Sequence, residues 1–384
     1  MTLKVAFIMF SNLSVGRGTE NIVMQYCKFS PSDVDITIFQ TDFPRGEVQE
    51  KDFDFGLSKP KIVTLRGFDQ RSIFPSRSIV VLALTLYVRY PFLFLALRFI
   101  KEYREMRKQL KDFDVVYVFG NYWSSLVPRG PIVVGSPQGW EPERIGVLKA
   151  LNTSIIGNGL IWRRIDYFHL FPRNSWFLER YNKKGFVLGN GSRLLSSSSE
   201  TIKENNKLEF CFLGALEECK GTLTAVKAFE LLRERVRDRE LELHLVGSGP
   251  LLNEIEEGQG MVKHGFIGNK KELQSILSSS DCFIYPTTCD TFALVVIEAL
   301  SAGTYAIVSD RLRGVYDKFE YMGVLEYCPP TAHALADQMQ NFLAKSVPKK
   351  NFDIARQLIL REYSWESITE KLFAEFRKLV KENS

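Results

Sequence analysis

Beyond residue 207 the chain alternates short apolar runs with stretches of helical spacing, and this alternation constrains the fold more than any other feature of the sequence. Runs at 208–213, 241–246, 281–285 and 305–309 read as strands, while 222–232, 271–279 and a stretch from Ala293 to a stop at Gly303 read as helices. Strands this short and apolar, separated by helices, pair in parallel, so the predicted class is α/β with a doubly wound sheet. The first half opens the same way, with a strand at 5–10, a turn holding Gly16 and Gly18, a helix at 20–29 and a strand at 35–39. Further strands are predicted at 115–119, 132–134 and 167–170. At 384 residues, 45% hydrophobic and 25% charged, the chain is long enough for two such cores. The polar stretch 194–206, with serines at 196 to 199, is the predicted linker, giving domains at 1–190 and 207–363. A last helix, 364–384, carries Trp365, Ile368, Leu372, Phe373, Phe376 and Leu379 at helical spacing and must bury that face.

The chemistry concentrates where strand 281–285 runs through Pro286 and two threonines into the helix that follows. Asp290 and Glu298 stand there with seven residues between them, one in the loop and the other one to two turns into the helix. The N–H groups of a first helical turn at the carboxyl edge of a parallel sheet favour an anionic ligand through hydrogen bonds and the helix dipole, and a diphosphate fits. Each acid can accept hydrogen bonds from sugar hydroxyls, so the two could hold opposite ends of one elongated ligand. The competing reading makes Asp290 a helix cap and Glu298 half of a surface ion pair.

The run Asp290-Thr291-Phe292-Ala293-Leu294-Val295-Val296-Ile297-Glu298 resembles the signature of retaining glycosyltransferases of the family 4 type, in which two acids flank a Gly-Phe-Gly-Leu turn. Asp290 stands for the first glutamate, and Thr291 and Ala293 for the two glycines; Glu298 matches. The resemblance implies two Rossmann-like domains facing across a cleft, the GT-B arrangement, with the donor nucleotide sugar in the C-terminal half and the acceptor in the N-terminal half. It also implies that helix 364–384 packs back on the N-terminal domain. Glu298 would bind the ribose hydroxyls and Asp290 the donor sugar, while the amides of Phe292, Ala293 and Leu294 would meet the diphosphate together with Lys220.

Gly214-Ala215 and Lys220-Gly221 are similar to the family's paired sites beside the donor diphosphate, with Ala215 where an arginine is usual. Positive charge is needed there because cleavage of the sugar–phosphate bond leaves added charge on the diphosphate; the alternative for Lys220 is a solvated loop lysine. Gly16-Arg17-Gly18-Thr19 resembles the glycine-rich turn that approaches the donor phosphates, and its alternative is a purely structural turn. Gln138-Gly139 follows a strand where the family has a His-Gly pair near the donor sugar. The expected reaction moves a sugar from a nucleoside diphosphate to a glycan or lipid-linked acceptor with retained configuration, using no cofactor and no metal. One rival is a degenerate nucleotide-sugar-binding protein, motivated by Ala215, Thr291, Ala293 and Gln138. A second, an NAD-dependent oxidoreductase, rests on Gly16-x-Gly18 and Gly247-x-Gly249, neither of which completes a dinucleotide fingerprint.

A net charge of +5 suits anionic nucleotides or membrane surfaces and falls short of a nucleic-acid binder. The six cysteines are scattered and read as reduced packing residues, and His169, His244, His264 and His333 read as isolated core or surface histidines. The N-terminus enters a strand without a basic leading region or a small-residue cleavage site, so a cytoplasmic location is expected, at the inner face of the membrane if residues 71–108 touch it. Apolar runs at 79–88 and 92–97, broken by Arg89 and Pro91 and rimmed by basic residues, suit a peripheral lipid contact as well as a buried helix, and neither is long enough to span.

Overall fold

The computed structural model describes residues 2–9, 13, 18–41, 54–65, 100–119, 124, 127–136, 164–192, 194–195, 207–256, 258 and 260–384. The chain divides into two units, 1–188 with 368–384, and 189–367. Each is built on one parallel sheet flanked by helices, which is the α/β class the alternation implies.

In the first unit the strands are β1 (Leu3–Ile8), β2 (Val34–Thr41), β3 (Lys61–Leu65), β4 (Val115–Phe119), β5 (Ile132–Ser136), β6 (Tyr167–Leu170) and β7 (Gly185–Val187), in the order 3-2-1-4-5-6-7. β4 is buried along its whole length, as a central parallel strand covered on both faces must be, whereas the edge strand β3 is largely exposed. The C-terminal helix, Trp365–Asn383, begins in the second unit and from Ile368 onward belongs to the first. There Phe376 meets the Tyr117 ring of β4, Arg377 pairs with Asp33 at 2.6 Å, and Asn383 bonds the Tyr167 hydroxyl at 3.0 Å.

His169 of β6 is sealed inside this unit. Its Nε2 lies 2.9 Å from the Leu188 carbonyl, which can only accept, so Nε2 carries the proton and Nδ1 accepts from the Tyr117 hydroxyl at 2.6 Å. Burial holds its pKa at about 4, against an ordinary 6.5. The folded state therefore keeps the ring neutral while the unfolded chain protonates below 6.5, so stability is full above that pH and is lost as pH falls towards 4. From about pH 7 to 5.5 the expected loss is on the order of 1 kcal/mol. Urea denaturation of the wild type and of His169→Gln at the two pH values checks this: the variant should lose measurably less.

The second unit holds β8 (Lys207–Leu213), β9 (Glu240–Val246), β10 (Met261–Gly265), β11 (Cys282–Tyr285), β12 (Tyr305–Ser309) and β13 (Leu325–Cys328), in the order 10-9-8-11-12-13. The helix Thr222–Arg235 follows β8, Lys270–Ser279 precedes β11, and Leu294–Ala302 joins β11 to β12. That last helix ends at Gly303, whose φ of 88° is the left-handed cap glycine provides without a steric penalty. Chain order reverses between β8 and β11, the topological switch point at which the loops leaving adjacent parallel strands diverge and leave a crevice.

His244 and His264 are not isolated, contrary to the sequence reading. β9 and β10 pair in parallel and bring their rings together, with Nδ1 of the first 2.9 Å from Nε2 of the second. Among the described residues no helix is long and apolar enough to cross a membrane. The apolar runs at 79–88 and 92–97 lie outside the described residues. So do Gly16, Arg17, Gln138 and Gly139; Gly18 and Thr19 open the helix Gly18–Lys28 after β1.

Candidate functional site

Two loops leave the carboxyl ends of β8 and β11 at the switch point of the second unit, 214–221 and 286–293, and they are joined through backbone. The Cys219 carbonyl accepts from the Thr288 N–H at 2.8 Å and from the Thr288 hydroxyl at 3.1 Å. Gly221, at φ 85°, passes so close to the second loop that a Cβ there would lie 2.3 Å from the Pro286 carbonyl oxygen. Only glycine tolerates both the left-handed backbone and that approach.

Joined this way, the loops bring Lys220 and Asp290 into contact across 70 residues of sequence, Nζ to Oδ1 at 2.6 Å, with both side chains mostly buried. The other carboxylate oxygen accepts from the Tyr285 hydroxyl and the Thr287 hydroxyl, each at 2.8 Å. Burial pulls the Lys220 pKa down, but the charge and hydrogen bond of Asp290 outweigh it and leave the pKa above the ordinary lysine value. The ammonium is therefore a permanent cation at neutral pH. Burial and then the Asp290 charge push the Tyr285 phenol well above its ordinary pKa, so it stays a donor to the carboxylate.

Asp290 does not cap the following helix. The N-cap of Leu294–Ala302 is Ala293, whose side chain makes no cap bond; the helix Thr222–Arg235, capped by Gly221, likewise has no side-chain cap. Among the described residues, both helix starts at the switch point thus present backbone donors with no side-chain cap, an arrangement suited to an anion. Phe292 fills a packing role through its ring, which lies 5.9 Å from that of Tyr316 and 6.3 Å from that of Tyr363, and the Ala293 carbonyl accepts from the Tyr316 hydroxyl at 2.7 Å. What Phe292 and Ala293 can offer a ligand is backbone. Glu298 sits half-buried in the second turn and is the one charged residue of a nine-residue helix.

Gly214 and Ala215 begin the first loop, both half-buried. Gly247 and Gly249, which motivated the dinucleotide reading, pack against that loop. A Cβ on Gly247 would fall 1.8 Å from the Gly214 carbonyl oxygen, and one on Gly249 2.4 Å from that of Leu216. The Leu216 amide and carbonyl also bond Ser248 at 3.0 Å and Leu251 at 3.1 Å. These glycines serve close backbone packing.

Sequence reasoning missed Tyr285 and Thr287, the donors that hold Asp290. Thr287 was within reach, since a threonine three residues before an aspartate in a Pro-Thr-Thr turn is a local hydrogen-bonding pattern; Tyr285 depends on which way the strand end faces. Cys27, Cys211, Cys282 and Cys328 are buried, but Cys219 and Cys289 are half-buried in the two joined loops, with sulfurs 2.7 Å apart.

Residues 196–357, most of the second unit, match the profile of the family described as Glycosyl transferases group 1. Its C-terminal unit is a group 1 glycosyltransferase domain. The chain is 25% identical over 295 residues to the phosphatidyl-myo-inositol mannosyltransferase of Mycobacterium tuberculosis, covering 70% of this chain and 75% of the relative. Sucrose-phosphate synthase of Thermosynechococcus elongatus superposes with a TM-score of 0.68 over 98% of this chain and 99% of that one, at 16% identity. HepE of Anabaena, in complex with UDP and glucose, does so with a TM-score of 0.66 over 98% and 99%, at 13% identity. Likeness at these identities shows the fold, which is that of the GT-B glycosyltransferases with two Rossmann-like domains. The group 1 domain contains Lys220, Asp290, the start of the helix Leu294–Ala302, and Glu298.

Proposed function

We propose that this chain transfers a glycosyl group from a nucleoside diphosphate sugar to a glycan or lipid-linked acceptor, with retention at the anomeric carbon. The observation that carries the reading is the meeting of Lys220 and Asp290 at the switch point of a group 1 glycosyltransferase domain. The second unit takes the donor. Its diphosphate lies against Lys220 and the amides of Phe292, Ala293 and Leu294, the ribose hydroxyls bond Glu298, and the donor sugar bonds Asp290. The first unit takes the acceptor, with a lipid contact through 71–108 where the acceptor is membrane-borne.

Lys220 supplies charge where it develops. Breaking the bond between the anomeric carbon and the diphosphate oxygen adds negative charge to the leaving group, and a fixed ammonium lowers the energy of that state more than of the bound donor. Asp290 holds the ammonium in place before the donor arrives and accepts from sugar hydroxyls once it is bound. Engaged by three side-chain donors, its carboxylate is poorly disposed to attack carbon. This favours front-face displacement, in which the departing diphosphate takes the proton of the acceptor hydroxyl.

A panel of nucleotide sugars, scored first by thermal stabilisation and then by transfer to glycan and lipid-linked acceptors, tests the reading. A donor that binds only the folded state should raise the melting temperature, and the same donor should be consumed when an acceptor is present. Stabilisation without transfer from any donor to any acceptor would replace the transferase with the nucleotide-sugar-binding protein.

A further inference from the structure

Cys219 immediately precedes Lys220, and Cys289 immediately precedes Asp290. Their sulfurs lie 2.7 Å apart, and the bonds from the Thr288 amide and hydroxyl to the Cys219 carbonyl hold the two backbones side by side. Nothing in the donor site as described uses either thiol. Both are half-buried, whereas the other four cysteines are buried. A disulfide needs a bond of about 2.05 Å, so closing it draws the two sulfurs, and the loops that carry them, closer together.

We propose that Cys219 and Cys289 form a reversible disulfide by exchange with a low-molecular-weight disulfide, and that this bond controls the Lys220–Asp290 pair beside it. The Cys219 thiolate attacks the incoming disulfide, forming a mixed disulfide and releasing one thiol. Cys289 then attacks the Cys219 sulfur, closing the protein disulfide and releasing the second thiol. Two protein thiols are oxidised by two electrons, one external disulfide is reduced, and the two protons end on the released thiols. Burial, the hydrogen bond to Cys219 and the Asp290 charge push the Cys289 thiol up to about 12.

The consequence for turnover rests on the transferase reading. Drawing the sulfurs together shifts the two loops that carry Lys220 and Asp290, and a displacement of this kind beside reacting groups costs about tenfold or more in rate.

The full chain is equilibrated in a series of oxidised and reduced glutathione, trapped by alkylation, digested and weighed. The expected product is a Cys219–Cys289 crosslink lacking two hydrogens and carrying no glutathione, with Cys27, Cys211, Cys282 and Cys328 alkylated. Absence of that crosslink across the series, or glutathione retained on either thiol, would overturn the proposal. Cys219→Ser and Cys289→Ser should each abolish the crosslink. Turnover of the wild type should fall about tenfold or more on oxidation and return with dithiothreitol, while both serine variants should be indifferent to the redox buffer. A fully crosslinked chain with unchanged turnover would refute the control of the site. Should the reduced chain transfer no sugar, the transferase reading fails separately, and the crosslink is still decided by mass.

Discussion

Replacing Lys220 with alanine is expected to lower turnover on the order of a hundredfold while weakening donor binding far less, because a preorganised cation contributes most where charge is greatest. The structure sharpens the expectation. Lys220 is held within 2.6 Å of Asp290, and that carboxylate is itself held by Tyr285 and Thr287, so the ammonium does not have to be ordered when the donor arrives. The substitution also takes from Asp290 the positive charge that Lys220 sets 2.6 Å from its carboxylate. Both effects act in the same direction. Steady-state kinetics with a saturating donor, set beside calorimetric donor affinity, separates them: kcat should fall much more than the dissociation constant rises. Normal turnover in a folded Lys220→Ala chain would return the residue to the status of a loop lysine.

The sequence made the centre of each sheet legible and left the edges dark, for a physical reason. β1, β4, β8 and β11 lie between two neighbours and under helices, so they must be apolar almost throughout and stand out as runs. β3, β7, β10 and β13 are outermost in their sheets; β3, β10 and β13 carry polar positions that break the pattern, and β7 is only three residues long. In β10 the apolar run is interrupted by Lys263, which survives half-buried by donating to the Leu252 and Ile255 carbonyls at 3.1 and 2.9 Å. The spacing of Asp290 and Glu298 was readable because both belong to one β-loop-helix unit. The contact between Lys220 and Asp290 was not, since it exists only because β11 pairs with β8, a matter of strand order that no local pattern encodes. The same pairing brings Cys219 to Cys289, a pair that spacing alone could not propose, while the pairing of β8 with β9 packs Gly247 against Gly214, a glycine that spacing alone misassigned.

Glu298→Gln should weaken binding of the nucleotide sugar about tenfold or more, because a charged acceptor for two ribose hydroxyls becomes a neutral amide and a charge-assisted hydrogen bond is worth roughly 1.5–3 kcal/mol. Glu298 is the one charged residue of the helix Leu294–Ala302, whose residues from Val296 onward are otherwise buried. Glu298 lies one turn beyond the uncapped amides at Ala293 and Leu294, so a ligand whose diphosphate sits on those amides can extend its ribose towards it. Glutamine keeps the length and can still accept one hydrogen bond, and the fold should therefore survive with its melting temperature little changed. The two readings separate in one pair of measurements. A site residue loses donor affinity by calorimetry at nearly constant stability, whereas a surface ion pair loses a few tenths of a kcal/mol of stability and leaves donor affinity untouched.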